Sequence, residues 1–187
     1  NTSISFDSNK ETKIENIISD QLIALGFNEI MSNSLTKASY INYAEDLDES
    51  FNVAMLNPLS TDLGVLRQSL LFSGLESISY NLNRKNTALK FYEFGKSYHK
   101  YAEKYQEDKH LALFITGNKT KSSWNSTSKL SDFFYAKGIL TALFERLGMN
   151  SLKSTPTKSA LFSEGLTFSL GKTKLAEFGT VKKTICF

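Results

Sequence analysis

The stretch from Asn57 to Arg84, NPLSTDLGVLRQSLLFSGLESISYNLNR, combines turn punctuation and apolar periodicity, yet holds no His, no Cys and only two acids, Asp62 and Glu76. Asn57-Pro58 reads as a turn that ends a short strand, FNVAML, just before it. Beyond the turn, Leu71, Leu75, Ile78 and Leu82 recur at spacings of four, three and four, which puts them on one face of a helix from about Ser69 to Asn83. Gly74 weakens that helix without breaking its period. The stretch is therefore either the edge of an active site or a piece of scaffold, and its neighbours decide which.

Upstream, Ser8 stands three residues before Glu11 as a capping box. Ile14, Ile17, Ile18, Leu22 and Leu25 then follow at helical spacing until Gly26, which predicts an amphipathic helix over about 9–25. FNEIMSNSLT reads as a strand and AEDLDES as an acidic loop. Downstream, ALKFYEFGKSYH puts Leu89 and Phe91 on one face and Tyr92, Phe94 and Tyr98 on the other, as in a strand covered on both sides. HLALFITG reads as another central strand. SDFFYAKGILTALFERLGM opens on Ser131/Asp132 as N-cap candidates, aligns Ala136, Leu140, Leu143, Phe144 and Leu147, and closes at Gly148. LTFSLGKTKLAEFGTV predicts a hairpin turning at Gly171-Lys172. Three helices and about six strands without a regular strand–helix–strand repeat predict an α+β fold with a largely antiparallel sheet.

The 187 residues, 41% of them apolar, suffice for one continuous core, and the two prolines, Pro58 and Pro156, mark no linker. We read residues 1–187 as a single domain. The chain begins without Met and stops on the β-prone KKTICF, which reads as a piece of a longer polypeptide. A single cysteine, Cys186, excludes an internal disulfide, and one Cys with two distant histidines cannot build a structural zinc site. With no apolar run near the roughly 20 residues that span a bilayer, the composition suits a soluble protein of the reducing cytoplasm. The net charge of +3 hides an asymmetry: residues 1–80 carry 4 basic and 11 acidic side chains, residues 81–187 carry 18 and 8. The basic half suits either an ordinary solvated surface or the approach of a polyanion.

Assembled chemistry is absent from the sequence. Neither phosphate-loop pattern occurs, nor the nucleophile elbow G-x-S-x-G. S-x-x-K occurs at Ser34/Lys37 and Ser97/Lys100, but in strands positions three apart point to opposite faces. His99 and His110 have no acidic orienter in their segments and read as strand-end imidazoles. Trp124-Asn125 is either a base-stacking platform or a packing plug. Arg67 follows a turn and precedes an apolar helix, so it meets a phosphate or forms a buried ion pair.

A resemblance narrows these readings. The opening stretch, followed by LKFYEFGKSYHK, closely resembles the catalytic-like core of bacterial phenylalanyl-tRNA synthetase beta chains. That family has an N-P-[LM]-S turn, an L-R-x-S-L-L-x-G-L-L helix start, a Y-N-x-N-R helix end and an F-E-x-G strand, in this order. The similarity extends through LIALGFNEIMSNSLT upstream and LFITGN, SWNSTSKLSDFFYAKG and LAEFGTV downstream, covering about 10–182. It implies a class II aminoacyl-tRNA synthetase-like antiparallel sheet flanked by helices, in a beta chain that performs no chemistry. In the whole enzyme, two alpha and two beta chains attach phenylalanine to its tRNA, with ATP, magnesium and phenylalanine bound by the alpha chains.

On that resemblance, a catalytic chain would read G-R-V-x-R where this one has Gly95-Lys96-Ser97-Tyr98-His99, so His99 stands at the position of the ATP-binding arginine. An imidazole lacks the guanidinium fork, and the resemblance implies that ATP activation is lost here and that no cofactor binds. The open question is whether the sheet face around Tyr92, Phe94 and His99 is a pocket or filled. The first class II motif matches the helix Glu11–Gly26 and the strand Phe27–Thr36, without the proline that closes it in the family. It implies that Ile14, Ile18, Gln21, Leu22 and Leu25 include part of the surface offered to the alpha chain. Burial in the domain's own core is the other reading of each. The alternative function is a free-standing nucleic-acid-binding module that uses the basic half of the chain.

Overall fold

The apolar period that starts at Ile14 produces the first helix, α1 (Lys10–Ala24), in the computed structural model, which describes residues 10–44, 47–119 and 127–185. Gly26 ends it at φ +82°, a left-handed value that lets the Phe27 amide bond back to the Leu22 carbonyl at 3.0 Å. The capping box at Ser8, Trp124-Asn125 and Cys186 lie outside the described residues.

The next stretch departs from expectation. In place of one strand there are two pieces of two residues each, β1 (Asn28–Glu29) and β2 (Leu35–Thr36). Between them the Ile30 amide donates to the Tyr92 carbonyl, the Ser32 amide to the Glu93 carboxylate, and the Ser34 carbonyl accepts from the Arg67 amide, in place of a regular ladder. The FNVAML strand likewise shrinks to β3 (Val53–Ala54), preceded by a 3-10 turn at Glu49–Phe51, and a short β4 (Val65–Leu66) follows the Asn57-Pro58 turn. These small strands form an antiparallel sheet in the order β2-β4-β3.

The decisive stretch becomes the helix α2 (Leu71–Leu82), which leads into a long hairpin, β5 (Leu89–Tyr101) and β6 (Lys104–Thr116). β5 and β6 pair antiparallel from Leu89↔Thr116 to Tyr101↔Lys104, while β1 joins the other side of β5 in parallel, Asn28 opposite Phe91. The order β1-β5-β6 leaves β6 at the end of this sheet among the described residues, so HLALFITG is not a central strand. It reads as one because both of its faces are covered by helices at that end.

The third helix, α3 (Phe133–Arg146), is capped by Asp132, whose carboxylate accepts from the Tyr135 amide at 2.7 Å. A third sheet closes the chain: β7 (Lys153–Pro156), which the sequence reading missed, β8 (Phe162–Leu170) and β9 (Thr173–Val181), the last two forming the expected hairpin around Gly171.

The alternation of β5 divides the core between two layers. Tyr92 faces α1 and α3, buried with Ile18, Leu22, Phe27, Ile139 and Leu143 and joined by Phe94 and Leu111. Leu89, Phe91 and Phe114 face α2, through Leu71 and Ile78. Gly74 is explained here, because a Cβ at this helix position would overlap the Phe114 ring. On its far side α3 covers the third sheet, with Phe133 stacked on Phe178 at 5.3 Å and Phe144 edge-on to Phe168 at 6.0 Å. Phe72 enters a further cluster with Tyr40, Ala44 and Ile185, while Leu82, expected on the buried face, is exposed.

Candidate functional site

The strand face that carries the motif-bearing residues is set by the same alternation: Phe91, Glu93, Gly95, Ser97 and His99 of β5 point toward the α2 side. At its centre lies a buried charge pair. Arg67 (4% exposed) donates from Nη1 to Glu93 Oε1 at 2.8 Å, and Glu93 is 1% exposed. Both partners make further hydrogen bonds. Arg67 Nε donates to the Lys96 carbonyl at 3.0 Å, and Ser32 donates from its amide and hydroxyl to the two Glu93 oxygens at 3.2 and 2.9 Å. Two backbone bonds, Arg67 amide to Ser34 carbonyl and Tyr98 amide to Arg67 carbonyl, each 2.9 Å, strap the segment onto β5. Gly95 leaves the space that the guanidinium fills, since a Cβ there would overlap it. Of the two readings of Arg67, the structure has the buried ion pair.

His99 lies further out on the same face. It stacks on Tyr101 with centroids 5.9 Å apart and an interplanar angle of 15°, and meets Phe51 edge-on at 6.5 Å. Its Nδ1 is buried and has no hydrogen-bond partner among the described residues. Tyr92, Phe94 and His99 do not share a face: the first two are directed into the α1/α3 core, and Tyr92 is fully buried. Nearby, Ser97 Oγ and His110 Nε2 are 2.8 Å apart. Burial pushes the His110 imidazole below its ordinary value of 6.5. Asp108 opposes that shift, while His99 and Arg67 add to it.

This face does not fit an ATP–magnesium group. Its guanidinium is engaged by Glu93, its imidazole is packed between rings, and no group of three His, Cys, Asp or Glu among the described residues is placed to hold a metal. A cleft of about 250 Å³ does exist, lined by Asn33, Thr36, Lys37, Asp62, Ser73 and Glu76, but behind the strap rather than at His99. There Lys37 sits 4.0 Å from Asp62 and 3.9 Å from Glu76.

The five residues expected to include core contacts and part of a subunit interface differ in burial. Ile18 and Leu22 are buried beneath α3, whereas Ile14 (47% exposed) and Leu25 (36%) face solvent and Gln21 is half-buried. Ile17, Ile23 and Met31 are exposed too, and the sequence reading did not single them out as surface. For Met31, at 95% exposed the most open of them, the signal was available: in an extended passage it alternates with Ile30 and Ser32, which face inward. Some lysines of the basic half are paired: Lys96 with Glu107 at 2.7 Å, Lys109 with Glu11 at 2.9 Å and also with Glu15, and Lys119 with Asp132 at 2.8 Å.

Solved structures share this fold. A pyrrolysyl tRNA synthetase of Desulfitobacterium hafniense superposes with a TM-score of 0.65 at 16% identity, over 90% of this chain and 55% of that one. A second structure of a pyrrolysyl-tRNA synthetase from the same organism gives 0.64, again at 16% identity, over 90% and 58%. The architecture is thus that of a class II aminoacyl-tRNA synthetase. In sequence, the chain is 42% identical to the phenylalanine–tRNA ligase beta subunit of Bacteroides fragilis over 95% of its own length and 23% of the relative's. The Porphyromonas gingivalis beta subunit is 33% identical over 94% and 23%, and that of Fusobacterium nucleatum 30% over 92% and 22%. The chain therefore spans less than a quarter of these relatives, and a family model matches residues 2–186 of it. It belongs to the phenylalanyl tRNA synthetase beta chain CLM domain family.

Proposed function

We propose that this chain is the synthetase-like domain of a phenylalanine–tRNA ligase beta subunit: one non-catalytic domain over residues 1–187 that supports the alpha subunit and the assembly of the enzyme. The observation that carries this reading is the Arg67–Glu93 pair. Phosphate activation needs a preorganised cation aimed at developing charge, and here the buried guanidinium already has an anionic partner inside the fold. His99 at the arginine position supports the same division of labour. ATP, magnesium and phenylalanine then belong to the alpha chains of an assembly of two alpha and two beta chains, and tRNA to the whole enzyme in the cytoplasm. No helix among the described residues is long and apolar enough to cross a membrane.

The exposed face of α1, Ile14 and Ile17, together with Leu25 just past its end, is the surface we assign to the alpha chain, with Gln21 beside it; Ile18 and Leu22 shape it from beneath. Pairing of Lys96, Lys109 and Lys119 with acids takes part of the charge on which a free-standing nucleic-acid module would depend. Phenylalanine-dependent ATP–pyrophosphate exchange tests the proposal. The full beta chain alone should show none, the mixture with alpha should restore it, and H99A should leave aminoacylation within about twofold of the unsubstituted enzyme. Exchange by the beta chain alone would overturn the reading.

A further inference from the structure

The cleft behind the strap holds about 250 Å³, below the roughly 300–1,000 Å³ of pockets that take drug-sized molecules, so a ligand that fills it is small. Separate segments of the chain meet around it. The passage between β1 and β2 supplies Asn33, the start of a 3-10 turn at Ala38–Tyr43 supplies Lys37, a second turn at Thr61–Leu63 supplies Asp62, and α2 supplies Glu76. Leu35 and Leu63 add apolar wall. From these side chains we propose that the cleft binds a free α-amino acid with a small apolar side chain.

The cleft carries both signs of charge, and they are only loosely matched to each other. Lys37 Nζ lies 4.0 Å from Asp62 and 3.9 Å from Glu76, well beyond the roughly 2.7–2.9 Å of a charge-assisted hydrogen bond. Partly exposed ion pairs of this kind are weak, so a zwitterion can enter between them. Its carboxylate then faces the Lys37 ammonium, and its own ammonium faces the two acids. Asn33 Oδ1 accepts from the Leu35 amide at 2.9 Å, which leaves the amino group of that side chain as a second donor for the carboxylate. Glu76 is held in advance, because the Tyr40 hydroxyl donates to it. A bare anion would meet two carboxylates, and a bare amine would meet Lys37. A molecule with both charges on neighbouring atoms and an apolar side chain matches the whole lining.

Calorimetry on the full beta chain tests this with leucine and two analogues, isoamylamine, which lacks the carboxylate, and isocaproate, which lacks the ammonium. Leucine should bind saturably and raise the thermal midpoint, and each single-charge analogue should bind at least about tenfold more weakly. Glycine, with no side chain to set against Leu35 and Leu63, should also bind more weakly than leucine. K37M and D62N should each lower leucine affinity about tenfold. Both side chains are partly exposed, 40% and 69%, so neither change should shift the midpoint of the ligand-free chain. Isoamylamine binding as tightly as leucine would overturn the proposal in favour of a simple cation site. Leucine binding left intact in both variants would put the amino acid elsewhere in the beta chain and overturn it too. Absence of leucine binding by the unsubstituted chain would do the same.

Discussion

Arg67 and Glu93 stand 2.8 Å apart with almost no solvent contact, a geometry in which each charge depends on the other. Removing one partner strands a buried ion, so R67M or E93L alone should cost about 3–5 kcal/mol, while the double variant R67M/E93L should recover much of the loss. Urea denaturation of the domain provides the measurement, and additive losses would contradict the argument. His110 makes a pH prediction. Because its folded-state value lies below 6.5, the unfolded chain takes up the proton first as pH falls. The stability tied to the neutral imidazole is complete above that value and is lost on descent through the folded one. As pH falls below about 6.5 the thermal midpoint should fall, and H110Q should flatten that slope. An unchanged slope would place the titration elsewhere. Of these residues, only the chemistry of each was legible in the sequence. Arg67 allowed a phosphate or an acid as partner, and Glu93, 26 residues away, became that partner through the register of β5.

At the scale of elements, α2 was legible because its apolar period survives its glycine, but the reason for the glycine was not. Gly74 is where the helix comes nearest to β6, against Phe114. G74A should therefore destabilise the domain by about 1–3 kcal/mol despite the better helix propensity of alanine, and F114L should relieve part of that cost. Stabilisation by G74A in a melting experiment would refute the close-packing explanation. The broken strand teaches the complementary lesson. FNEIMSNSLT carries some β-branched and aromatic character, and its alternation does persist, with Ile30 and Ser32 inward and Met31 outward. Where the ladder is interrupted, the Glu93 carboxylate accepts from the Ser32 amide and the backbone amide of Arg67 donates to the Ser34 carbonyl, taking over bonds that one neighbouring strand would have made. Local propensity has no term for such a substitution.

Across the whole molecule, three small sheets are held by helices that each serve two neighbours. α3 shows this most clearly, with Ile139 and Leu143 in the core over β5 and β6 and Phe133 and Phe144 over the last sheet. The sequence by itself determined the three helices, the C-terminal hairpin and the α+β class. It also carried the motif order that marks the family, because those features depend on spacing and turn chemistry within short segments. The tertiary structure alone decided which side chains face one another. It placed β1 parallel to β5, put β6 at a sheet end, sent His99 into an aromatic stack and closed Arg67 onto Glu93. It likewise separated Ile18 and Leu22, which fill the core, from Ile14 and Leu25, which stay exposed. Periodicity defines a helix face to within a residue or so, whereas burial is settled by whatever packs across from it.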